Sequence, residues 1–258
     1  MFQTGDWKIS PSDRSQSRHF QLGACLFLVF LSPYGSAVGQ GTGTVASPVI
    51  KPGSSVSLAA AVAFEDDAEG FAHRMDYRRS VSDHWRVGAI LFFNDRGGEY
   101  RYRRFAAEAM YQFASSETGW NSAVQVRARV ADGNDGPGRV RFAWLNRWRL
   151  ENGPELRLIG LASQEIGDGR SDGIALETRG EATWQFGSDV RAGAQVFNRY
   201  NTTEAFGSFA TQRHSIGGVV KGALSETLSY RVNVLGGVSK ATPDFEVRAR
   251  FRLKLTSH

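Results

Sequence analysis

Apolar and polar residues alternate strictly through "FEVRARFRLKL", residues 245–255: Phe245, Val247, Ala249, Phe251, Leu253 and Leu255 are separated by Glu246, Arg248, Arg250, Arg252 and Lys254. Successive side chains of a β-strand point to opposite faces, so this stretch divides two environments. The same period recurs after Ser55 in about twelve segments bounded by turn residues, a pattern that excludes helical architectures. In 120–131, Trp120, Val124, Val126 and Val130 oppose Asn121, Gln125, Arg127 and Arg129; in 140–150, Val140, Phe142, Trp144 and Trp148 oppose Arg141, Arg147 and Arg149.

Two kinds of connection take turns along the chain. One set is short and lies near 79–84, 115–119, 151–155, 187–189 and 224–227; the other lies at 65–70, 94–99, 132–138, 167–173, 201–208 and 239–244. An even number of strands returns both chain ends to the same side. Trp85, Trp120, Trp144, Trp148 and Trp184 all fall on the apolar parity of their strands. Most of them sit near the short turns, whereas Phe64, Phe71, Phe93, Phe142, Tyr200, Phe209 and Phe245 flank the other set. Aromatic residues banded at both ends of the strands are expected where a barrel crosses two membrane interfaces. A soluble β-sandwich would instead scatter them through a buried core.

The N-terminus fits an exported chain. Residues 22–31, "LGACLFLVFL", follow a stretch with Lys8, Arg14 and Arg18 and precede Pro33 and the small residues of "GSAVGQG". That layout predicts a signal peptide over 1–39. Cys25, the sole cysteine, precedes most of the apolar run, which argues against lipid attachment there. Residues 40–54, "QGTGTVASPVIKPGS", read as a flexible periplasmic lead-in, and 55–258 as the barrel. The fold expected is all-β: an antiparallel transmembrane β-barrel of about 12 strands preceded by a signal peptide. Its location would be the outer membrane, with lipid and the barrel assembly machinery as partners.

The opposite parity is strongly basic. Of its cations nearly all are arginine, whose planar fork pairs with carboxylate, sulfate or phosphate in bidentate fashion. Facing a lumen, these residues account for the pI of about 9.5 without nucleic acid as a partner. Barrels of eight strands are filled by side chains and those of sixteen carry a water channel, so twelve predicts a narrow pore. Arg127, Arg129, Arg213, Arg231, Arg248, Arg250 and Arg252 are the residues expected near mid-strand to line it and to bind anions. If the sheet closes, the last strand meets 56–64, whose Ser57, Ala59, Ala61 and Ala63 are small and leave space beside the arginine ladder.

On strand number, short connections and the basic inner face over residues 55–255, the chain resembles the twelve-stranded Gram-negative porins specific for oligogalacturonate. The resemblance implies an anion-selective channel for small anions or acidic oligosaccharides. The chain departs from barrels of this kind at its end, where Thr256, Ser257 and His258 follow the last strand instead of a terminal aromatic residue. Two other roles use the same features: an accessory barrel for the synthesis and export of surface polysaccharide, and a closed structural barrel whose arginines pair with Glu177, Glu181 and similar residues.

An enzyme is not expected. His214 and Ser215 in "QRHSIGG" are adjacent, so on a strand Ser215 faces the lumen and His214 the lipid. No metal-ligand cluster or glycine-rich phosphate loop occurs, and no cofactor is implied. The parity fails at "EYRYRRF", residues 99–105, which predicts a bulge.

Overall fold

The computed structural model describes residues 42–65, 68–96, 99–117, 119–131, 136–151 and 153–255. The predicted signal peptide and the three residues after Leu255 lie outside them. Twelve antiparallel strands form a closed barrel in which each strand pairs with its sequence neighbours. They are β1 Ser54–Glu65, β2 Ala68–Ser80, β3 Trp85–Arg96 and β4 Glu99–Ala114. Then come β5 Gly119–Ala131, β6 Gly138–Arg149, β7 Glu155–Ile166 and β8 Ala175–Phe186. The last four are β9 Val190–Thr202, β10 Arg213–Ala223, β11 Leu228–Gly237 and β12 Phe245–Leu255. We call the end that carries Ser54 and Leu255 proximal and the other distal.

Closure is made by β12 against β1, with Leu58 opposite Phe251, Ala59 opposite Arg250 and Ala61 opposite Arg248. The expected bulge is present: Phe92 pairs with Arg104 and Phe93 with Tyr102, so Arg103 is the extra residue of β4. The bulge brings Arg103 to the same inner cavity as Arg104.

Apolar parity points outward. Val130 is 65% exposed, Leu58 54% and Trp144 51%, whereas inward Asp76, Arg74 and Glu108 are buried. In water such an arrangement would forfeit roughly 25 cal/mol for every Å² of apolar surface left uncovered, so the outer face calls for an apolar medium. Aromatic side chains mark its limits: Trp85 packs on Tyr111 at 4.9 Å and Phe113 on Trp120 at 6.3 Å near the proximal end, and Phe64 meets Phe245 at 6.0 Å near the distal end. Two outward polar residues are covered by indoles. Trp120 donates Nε1–H to Asn146 at 3.1 Å and Trp144 to Ser122 at 2.9 Å.

The interior departs from the sequence reading first in what fills it. Residues 42–50, expected to be flexible outside the barrel, lie buried within it: Val45 is 1% exposed, and Thr42, Thr44, Pro48 and Ile50 are also buried. Val45 and Ile50 pack into an apolar cluster with Met110, Leu145, Ile159, Phe197 and Leu235, all from the inner face. Burial of these seven side chains together outweighs the freedom that a Gly/Ser/Thr-rich segment would otherwise keep. This strap rises from the proximal end, where Ile50 donates its N–H to Gln112 Oε1 at 2.8 Å. It joins β1 through Gly53, whose φ of +95° permits the reversal that an L side chain would resist.

Candidate functional site

Charge on the inner face divides into a proximal part where acids gather several cations each and a distal part where arginines outnumber the acids. Toward the proximal end, Asp76 lies 2.9 Å from both Arg74 and Arg250 and 3.5 Å from Arg78. Glu108 takes Arg78 and Arg127, each at 2.7 Å. A second node is built on Glu155, which takes Arg157 at 2.6 Å, Lys221 at 3.1 Å and Arg147 at 3.4 Å. Glu181 joins it through Lys221 at 2.7 Å and through Arg231. Sequence reading placed Glu155 in a turn; it is the first residue of β7 and 3% exposed. A residue at the junction of turn and strand carries no parity, so its inward direction was not readable.

The distal half holds a cavity of about 380 Å³. Thirteen arginines line it against three glutamates among the described residues, and each glutamate already has an arginine: Glu177 with Arg179 at 2.7 Å, Glu246 with Arg248 at 2.7 Å, and Glu165 with Arg139. Arg179 and Arg248 also lie over the Phe197 ring, at 5.6 and 4.6 Å from its centre. Strand register sets cations directly opposite one another: Arg127 faces Arg141, Arg129 faces Arg139, and Arg199 faces Arg213. Like charges in that position destabilise a sheet unless something of opposite sign lies between them. Among the described residues, Arg129, Arg141 and Arg199 take part in no ion pair.

The seven arginines named from sequence separate accordingly. Arg127, Arg129, Arg213, Arg248 and Arg250 meet at the cavity. Arg213 heads β10 at the distal end and is not mid-strand. Arg231 is held lower down by Glu181 and the strap. Arg252 is exposed near the proximal end, opposite Ser57 and Ser229. The small residues Ser57, Ala59 and Ala61 do lie beside the ladder, and Thr42 and Thr44 of the strap come up against Ala59 and Arg250 there. Arg139, Arg141 and Arg199 belong to the cavity and were not singled out; the parity signal placed Arg141 and Arg199 inward, but only tertiary structure shows that neither joins an ion pair among the described residues.

His214 lies on the outward parity as expected, but the connection before β10 covers it. Its ring sits between Asn198 and Gln212, 3.0 Å from each, and stacks on Phe209 at 4.4 Å. Ser215 lines the cavity.

Comparison with solved structures recovers the same architecture. The KdgM porin in complex with disordered oligogalacturonate superposes with a TM-score of 0.58 at 8% identity, covering 78% of this chain and 99% of that one. The fold is that of a twelve-stranded outer-membrane porin. An outer-membrane channel from Pseudomonas putida F1 gives a TM-score of 0.61 at 8% identity over 80% of this chain and 97% of its own. The NanC porin gives 0.53 at 10% identity over 78% and 100%. No protein-family model matches the chain, and no curated protein sequence matches it.

Proposed function

We propose that the protein is an outer-membrane channel for anionic solutes, with acidic oligosaccharides as the favoured class, and that the proximal end is periplasmic. The observation that carries this reading is the cationic excess of the distal cavity, where thirteen arginines meet three glutamates and Arg129, Arg141 and Arg199 take part in no ion pair among the described residues. A solute carboxylate placed between such guanidiniums gains charge-assisted, bidentate hydrogen bonds and relieves their repulsion. A basic constriction of this kind lowers the barrier for anions and raises it for cations. The KdgM porin, of like fold, was solved with oligogalacturonate, a polymer of such carboxylates.

The reversal potential of single channels in a planar bilayer under a salt gradient tests pore and sign together. Anion preference is expected, and Arg129→Gln with Arg141→Gln and Arg199→Gln should move the reversal potential toward zero while the barrel still folds. Cation preference in the unaltered protein would sink the proposal. A second reading, a closed structural barrel, draws on the Asp76, Glu108, Glu155 and Glu181 nodes and on the buried strap; it requires that no conductance be seen under any condition.

A further inference from the structure

The strap is held by the arginines through its backbone. Arg248 Nη1 donates to the Gly43 carbonyl at 2.7 Å and Arg179 Nη1 to that of Thr44 at 3.0 Å. The Val45 carbonyl accepts from Arg231 at 3.0 Å and Arg157 at 3.4 Å, and Thr44 Oγ1 accepts from Arg250 at 3.3 Å. Five cations from four strands thus converge on three successive residues, four of them on peptide carbonyls, in a segment that contains no acidic residue. Neutral carbonyls are weaker acceptors for guanidinium than carboxylates are, by roughly a factor of two. The strap also takes no part in the sheet, and Thr42, Gly43, Thr44 and Ala46 form one wall of the distal cavity. Arg179, Arg248 and Arg250 belong to both: they line the cavity and grip the strap.

Resting on the channel reading above, we propose that the groove filled by residues 42–46 is a binding track for a linear polyanion, and that the strap is its built-in competitor. An acidic oligosaccharide that has entered the cavity reaches Arg179, Arg248 and Arg250, exchanges its carboxylates for the Gly43 and Thr44 carbonyls, and releases the strap toward the proximal mouth. Gly43 is suited to a close but replaceable fit: a Cβ there would stand 2.8 Å from Arg179 Nη1.

Two measurements test the competition. In a chain with Cys25→Ser and Thr44→Cys, labelling by a charged methanethiosulfonate reagent should rise several-fold when linear oligogalacturonate is added and stay constant with a neutral maltooligosaccharide of equal length. Equal labelling in all three conditions would overturn the proposal. Separately, deletion of 42–50, or Gly43→Leu in the full-length chain should deletion impair folding, should raise single-channel conductance several-fold and tighten block by oligogalacturonate. If the unaltered channel and these variants are anion-selective but alike in conductance and block, the competitor role falls and the channel reading stands. If the variants conduct with cation preference, the channel reading falls and this inference falls with it.

Discussion

Asp76 illustrates how much of the interior depends on single carboxylates. It is fully buried and faces Arg74, Arg78 and Arg250; removal of its charge leaves buried cations uncompensated, a loss of about 3–5 kcal/mol for a buried pair. Asp76→Asn is therefore expected to lower the urea midpoint of detergent-solubilised barrel clearly. Arg129→Gln, at a position with no ion pair to lose among the described residues, should leave that midpoint nearly unchanged while reducing anion preference. The contrast was not legible from sequence. Arg250 and Arg129 have the same parity and the same kind of neighbours in the chain, but only the closed barrel brings Asp76 to one and leaves the other beside Arg139.

Among the elements, β12 was the most readable: its alternation, its partner β1 and the small residues opposite its arginines all follow from the sequence. In β4 the broken parity of 99–105 announced a bulge, but pairing with β3 was needed to identify Arg103 as the inserted residue. Deletion of Arg103 should restore an unbroken ladder, because Tyr102 and Arg104 would then face Phe93 and Phe92 in sequence. The expected outcome is a barrel with unchanged heat-dependent gel migration and a reversal potential shifted toward zero. Inward apolar residues were harder to see. Ala143 and Leu145 flank outward Trp144, and three apolar residues in a row conceal which two face the lumen.

For the whole molecule, the outward apolar face and its two aromatic bands make the barrel dependent on lipid or detergent, and the folded form should migrate faster than the boiled form in gels. Loss of that difference in detergent would count against a closed barrel. This level of organisation was legible because alternation is a local property repeated along the chain. The strap was not, since "TGTVASPVI" has no period and is buried through residues gathered from β4, β5, β6, β7, β9 and β11. Its attachment at Gly53 has a consequence for exchange with solvent. Because the strap hangs from the ladder at one end and contributes nothing to it, it can leave the lumen by local opening while β1 and β12 stay paired. Deuterium should accordingly reach the amides of Gly43, Thr44, Val45 and Ile50 long before those of Ala59, Ala61 and Arg250, two cooperative units within what is otherwise a single closed sheet.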